Sequence, residues 1–510
     1  MLRFLVFSLL GIVLAAGPLE VAWAESNIPL SVDPTANEPA TPSGPADAAS
    51  PAEDVSKTAA SSGSNNATSP AEAANEPATT SSATDATAPA AAANESATQS
   101  GATSSTARAE AANEPATLYN KIAPNVPGLR LTGALGVWGR GFFERPEWDG
   151  QRNTSLWPYV EGWVKAEYTW NKGNDRFNFM PFGRKDFYGS QSLVDIKEGY
   201  FLHVGDGWSV LAGINTVRWG VVESRHLVNI INQVDYAWNL DGDEVLGQPM
   251  ANINVTTPAG TLSLYGLFGF RPLHEPEVGD RLRAEFVSTD RTILANDIEK
   301  NINFAGRFSS TFSLLSGSVD AAISYFHGVG REPRYIMVVP PTPMTAVPQI
   351  SSYYDLIDQG GLEVVATFDA LQLKFEGIIR RELGETYGAT VAGFEYTFYN
   401  VANSGADIGL VAEHLTDNRS ALQPATVYAH SVFAGGRLSL NEGSNTQFLG
   451  GILYNYEDMA RYATAKFSTR LRDDLGLALE GRYLIYAPPE DYLYSLLHDS
   501  YVQARITKYF

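Results

Sequence analysis

Between residues 218 and 247 charged and amide side chains crowd together: Arg218, Glu223, Arg225, His226, Asn229, Asn232, Asp235, Asp241 and Asp243. Such a set can pair internally, with an opposed charged surface, or with a polar solute. Bond breaking in a barrel enzyme stays open as the lesser reading, through a cluster assembled in space. The seven histidines stand at 203, 226, 274, 327, 414, 430 and 498, with no two at the spacing that shares one metal ion. The chain has no cysteine, which excludes disulfides, thiolate ligands, thiol catalysis and a lipidated cysteine. An enzyme would need a Ser, His and acid cluster assembled in space. The residues themselves point to handling charge, with no catalytic residue, metal or cofactor expected.

The segments that must position these residues alternate with a period of two. In Arg130 to Arg140, Leu131, Leu135 and Val137 share one face, while Arg130, Thr132 and Arg140 share the other. Glu161, Lys165, Glu167 and Thr169 alternate with Val160, Val164, Ala166, Tyr168 and Trp170. From Leu371 to Arg381 the apolar face carries Leu371, Leu373, Phe375 and Ile379 against Gln372, Lys374, Glu376 and Arg380. These are strands. A soluble sandwich alternates as well, so turn lengths decide between burial in a core and exposure to lipid. Tight turns are expected at Asn171–Asp175, Gly205–Gly207, Pro258–Gly260, Leu315–Gly317, Asp369–Ala370, Asn400–Gly405, Asn441–Gly443 and Arg472–Asp474. Longer connections fall near 220–251, 271–302 and 328–360. Short turns at one end and long loops at the other are the asymmetry of a transmembrane barrel, here of about 18 strands, with 16 left open because the strands near Met180 and Ile302 are weakly marked. The loop from Tyr335 to Tyr354, with Pro340, Pro341, Pro343 and Pro348, should be extended and stiff, as a lid, an epitope or a contact between protomers.

If the apolar rows face lipid, Arg130, Arg140, Arg437, Lys466, Arg470, Arg482 and Arg505 form a basic lumen wall on the first and last strands, which become neighbours on closure. Glu376, Glu395, Asp407 and Glu413 form an acidic wall on the middle strands. Walls of opposite sign set up a transverse field that orients polar solutes; the alternative is that the charges simply pair across strands. The basic wall tilts the expected solute toward anions.

The series Arg218-Trp219-Gly220, Glu223, Arg225, His226, Asn229, Asn232 and Asp235 resembles a loosely characterised group of porin-like bacterial outer-membrane proteins, and more distantly the alginate-export porins. The resemblance extends in architecture over the barrel, and in residues over some 30 positions. It implies a folded-in loop that narrows the lumen, with Arg218, Glu223, Arg225, His226 and Asp235 at a constriction that meets the solute. The implied function is a passive or mildly selective channel. A second reading keeps the barrel as an anchor whose tail binds cell wall or a periplasmic partner. The ending Lys508-Tyr509-Phe510 resembles the terminal strand that the barrel-assembly machinery reads through its last aromatic residue, Phe510, although Lys508 departs from the usual apolar residue. Expected partners are therefore outer-membrane lipid, that machinery and a polar solute.

Arg3, the apolar run Phe4 to Ala16 and the site Ala22-Trp23-Ala24 have the pattern of an export signal over residues 1–24; an uncleaved anchor is disfavoured by the short run and by Pro18 and Glu20. Residues 25–117 are nearly all Ala, Ser, Thr, Pro, Asn, Glu and Gly, too poor in apolar area to pack, and are expected to be a disordered periplasmic tail. Ala36-Asn37-Glu38-Pro39-Ala40-Thr41 recurs at Ala74, at Ala93 with Ser96 in place of proline, and at Ala112, a unit of about 19 residues without the apolar stripe of a solenoid. The barrel is expected over 118–510. Of all residues 57 are acidic and 36 basic, a net charge of -21, which excludes nucleic acid as a partner.

Overall fold

A computed structural model describes residues 126–236, 240–294, 302–339 and 347–510. The expected export signal and tail lie outside the described residues, as do Pro340, Pro341 and Pro343.

The strands run in order β1 (Leu129–Phe142), β2 (Leu156–Trp170), β3 (Asp175–Asp186), β4 (Leu193–Val204), β5 (Trp208–Asn215), β6 (Gln248–Thr257) and β7 (Gly260–Phe268). After β8 (Val287–Leu294) come β9 (Ile302–Leu314), β10 (Gly317–Val329), β11 (Arg334–Val339), β12 (Gln349–Tyr354), β13 (Leu356–Phe368) and β14 (Leu371–Glu382). The series ends with β15 (Glu385–Phe398), β16 (Asp407–Asp417), β17 (Ser431–Ser439), β18 (Gln447–Asn455), β19 (Arg461–Arg472), β20 (Leu475–Tyr486) and β21 (Tyr501–Tyr509). All but β8, β11 and β12 form one 18-stranded antiparallel sheet, closed by β21 against β1. Phe510 completes the seam by exchanging backbone hydrogen bonds with Gly133, at 2.9 and 3.3 Å. Closure leaves no unpaired edge in the sheet.

Each of the eight expected tight turns joins a hairpin, and the strands around Met180 and Ile302 are present as β3 and β9. The loop end is not uniformly long: β3–β4 and β18–β19 are joined by residues 187–192 and 456–460, and the sharpest departure is a two-residue turn. There β14 and β15 are joined by Leu383 and Gly384, at φ 54° and 81°, the left-handed pair of a two-residue hairpin. The long connection after β10 is not simply extended either: β11 and β12 form a hairpin there, and β8 runs parallel to β12, giving a small three-stranded sheet. Pro348 precedes β12, and its carbonyl accepts the Val287 N–H at 3.1 Å.

The burial pattern is the reverse of a water-soluble sheet. On β1 and β2 Thr132, Arg140 and Glu161 are buried while Leu135, Val137 and Val164 are exposed. The inversion continues round the barrel, with Ile253, Leu264, Phe304, Ile323, Leu373, Ile379, Leu410, Ile452 and Ile506 facing outward and exposed. Aromatic rings gather at the turn end in Tyr168, Trp170, Phe177, Phe201, Trp208, Tyr396 and Phe398, where an amphipathic ring suits the lipid–water boundary. The architecture is a transmembrane β-barrel.

Its core lies inside the barrel. Trp219, Val221, Val222, Leu227, Val228, Ile230 and Ile231, all from the β5–β6 connection, pack against inward side chains such as Leu211, Met250, Phe326, Ile357, Ile378, Val391, Val411 and Phe433. Each fully buried aliphatic contributes on the order of 1.5–3 kcal/mol. Burial alone therefore makes this connection a docked element rather than a loose flap.

Candidate functional site: the loop across the lumen

The β5–β6 loop, residues 216–247, is rooted on adjacent strands and reaches the wall in several sectors, with 237–239 outside the described residues. Its first contacts use backbone donors. Gly220 N–H donates to Glu363 at 2.7 Å; Val221 and Val222 N–H donate to Glu376 Oε1 at 2.5 and 3.1 Å, and Val228 N–H to Glu376 Oε2 at 3.4 Å. Glu223 and Ser224 N–H donate to the two oxygens of Glu413 at 2.7 and 2.8 Å. The three carboxylates stand on β13, β14 and β16, and Glu376 is wholly buried. A buried carboxylate needs donors, and irregular backbone inside a barrel needs acceptors, so each meets the other's requirement. Gly220 has φ 118°, and a Cβ there would come within 2.7 Å of His226 Nδ1 and 2.8 Å of Glu376 Oε1, so only glycine allows this approach.

The acidic side chains of the same loop meet cations of the wall. Glu223 lies 2.6 Å from Arg437 on β17 and 3.5 Å from Lys374 on β14, and both cations also contact Glu395. Asp243 contacts Lys466 on β19 at 2.6 Å, and Asp241 contacts both Lys466 and Arg482, the latter at 2.8 Å. Asp235 holds Arg184 of β3 through two hydrogen bonds, at 2.7 and 3.1 Å. Glu244 is 3.5 Å from Lys197 on β4 and 3.0 Å from Arg218. The loop thus turns backbone N–H groups to carboxylates on the middle strands and carboxylates to cations on β3, β4, β14, β17, β19 and β20.

His226 sits between the loop and the wall. Its Nδ1 is 3.6 Å from Glu376 and its Nε2 is 3.6 Å from Asp243. Burial opposes its charge, but the two flanking carboxylates prevail and hold its pKa well above the usual histidine value.

All five residues expected at a constriction are within the loop, and each meets a charged partner: Arg218 with Glu244, Glu223 with Arg437 and Lys374, Arg225 with Asp417 and Glu332, His226 as above, and Asp235 with Arg184. Of the basic row, Arg140 hydrogen-bonds Gln503, Arg505 lies 3.4 Å from Glu161, and Arg437, Lys466 and Arg482 contact the loop. Arg130 is exposed at the turn end, and Arg470 is half-buried near the same end. Of the acidic row, Glu376, Glu395 and Glu413 are buried, whereas Asp407 lies at the turn end, accepting from Asn400 N–H and Asn441. Sequence reasoning singled out neither Glu363 nor Arg184. Arg184 shares the buried face of β3 with Asn178 and Asp186, while Phe177 and Phe179 face outward, and that alternation was a signal available in the sequence. Glu332 and Arg419 lie on connections, where no periodicity marks them.

No family model matches the chain, and no curated protein matches it in sequence. Among solved structures it is similar to Pseudomonas putida OprB (TM-score 0.39, 9% identity, 75% of this chain and 94% of that one). Pseudomonas aeruginosa OccK11 (OpdR) gives TM-score 0.44 at 9% identity over 75% and 96% of the two chains. A BenF-like porin from Pseudomonas fluorescens Pf-5 gives 0.44 at 9% identity over 76% and 98%. Values this low transfer neither solute nor site.

Proposed function

We propose that this chain is an outer-membrane channel for polar solutes, with the β5–β6 loop as its selective constriction. The observation that carries the reading is the reversed amphipathicity of a closed 18-strand barrel, whose charges face a lumen crossed by one loop. Eighteen strands enclose more room than side chains alone fill. With 13–15 residues, strands such as β2, β9 and β10 are long enough to cross a bilayer at the usual tilt. β1 begins and β21 ends at the turn end, which supports the reading that this end faces the periplasm.

Anion preference is the finer part of the proposal. Arg437, Lys466 and Arg482 are answered by loop carboxylates, so the basic row contributes little net field while the loop is docked. Preference for anions is then expressed where cations outnumber carboxylates along the route. Proteoliposome swelling with neutral sugars of increasing size and with their carboxylated counterparts tests both parts. Entry of small neutral sugars with faster entry of the acids supports the reading; entry of neither contradicts it.

A further inference from the structure

Three arginines converge at the loop end of the lumen on a single carboxylate. Glu332, from the short segment between β10 and β11, has Arg380 at 2.7 Å and Arg419 at 3.3 Å from Oε2, and Arg225 at 3.4 Å from Oε1. The arginine side chains are 4–12% exposed, while that of Glu332 is 35% exposed. The cations are deeply set, and the anion that fills them lies at an open edge.

The arginines are held independently of Glu332. Arg380 Nε donates to Gln359 at 2.8 Å. Arg419 Nε donates to both oxygens of Asp417, at 3.0 and 2.9 Å, and its Nη1 to the Pro424 carbonyl at 3.0 Å. Arg225 Nη1 donates to Asp417 at 3.0 Å. The Tyr387 ring lies under Arg380 and Arg419, with centroids at 5.8 and 5.1 Å, and Tyr428 lies under Arg225 at 5.0 Å. Arg419 Nη2 is buried without a hydrogen bond, although it is 2.8 Å from Asp417. The buried Glu382 stands beside Arg380 and Arg419 and accepts from the Tyr387 hydroxyl at 3.3 Å, so three cations meet the carboxylates of Asp417, Glu382 and Glu332, and withdrawal of Glu332 leaves one positive charge unanswered. Arginine's planar fork is suited to carboxylates, and such preorganised donors exact little ordering cost from an incoming anion.

We propose that Arg225, Arg380 and Arg419 form a binding site for the carboxylate group of a permeating solute, and that Glu332 is an internal stand-in which the solute displaces. The inference rests on the channel reading for the solute's passage, but binding at the site does not. One of the three arginines belongs to the lumen loop, so an arriving carboxylate would also touch the element that narrows the pore.

Gluconate binding is measured on the full chain in detergent, in low-chloride buffer, by titration calorimetry, with sorbitol as the neutral control. The Glu332→Gln variant should bind gluconate about tenfold more tightly than the unaltered chain, the increment expected when one charged competitor is removed. Adding Arg380→Gln should return affinity to the starting level, and sorbitol should bind none of the three. Glu332→Ala, checked by circular dichroism alongside the others, repeats the test if the glutamine still occupies the site. Equal affinity with and without the Glu332 carboxylate in both variants, or tight binding that survives loss of Arg380, would overturn the proposal. Conductance of the same preparations in planar bilayers separates the two readings: binding without conduction would refute the channel alone.

Discussion

Glu223 reaches Arg437 at 2.6 Å although its loop is rooted on β5 and β6 and Arg437 stands on β17, halfway round the 18-strand circuit from β5. This contact carries the loop across the full width of the lumen. Removing the arginine as Arg437→Gln leaves Glu223 with Lys374 alone, at 3.5 Å. Loss of the shorter contact should weaken docking by about 1–3 kcal/mol. The expected result is larger or more frequent open steps in single-channel recordings; unchanged steps with unchanged protease resistance of the loop would show that the contact does not hold it.

Glu376 accepts three backbone N–H groups of the loop. Glu376→Ala leaves those donors without acceptors in a buried place, at about 1–3 kcal/mol each. Glu376→Gln keeps one accepting oxygen and should fall between. Limited proteolysis should cut the loop first in the alanine variant, then in the glutamine variant, with the barrel itself resistant in all. Cleavage at equal rates in the three proteins would contradict the assigned role.

Loop docking should weaken as pH rises through the alkaline range. The docked state raises the pKa of His226 and so binds its proton more tightly than the released state, in which the value is about 6.5. The stabilisation from this group is fully present below that pH and is lost as pH passes the raised value. Open probability should therefore climb at alkaline pH, and His226→Asn should flatten that dependence. A climb of the same size in the variant would assign it to other groups.

Much of the barrel was readable because the two faces of its strands differ so sharply, as Leu373 and Ile379 do from Lys374 and Glu376 on β14. The turns were readable from small and polar residues such as Asn441 and Gly443. The path of the lumen loop was less so. Its charges were evident, but their partners Arg184, Glu363 and Arg437 lie far away in sequence, and no local pattern pairs them. The β11–β12 hairpin escaped notice because proline-rich flanks obscured two short strands, and the turn at Leu383 because a leucine at positive φ gives no compositional signal.

Deletion of residues 25–117 separates a channel from an anchor. If conduction belongs to the barrel, the shortened chain should show the same step size and ion selectivity as the full one. A loss of both, with barrel folding intact by circular dichroism, would transfer the function to the removed segment.

The most direct test of the central claim is single-channel recording of the full purified chain in a planar bilayer under a potassium chloride gradient. A water-filled barrel narrowed by a charged loop predicts stable, discrete open steps with a reversal potential displaced toward anion preference. A folded barrel that passes no current at any voltage, with the loop intact or released by Glu376→Ala, would contradict it.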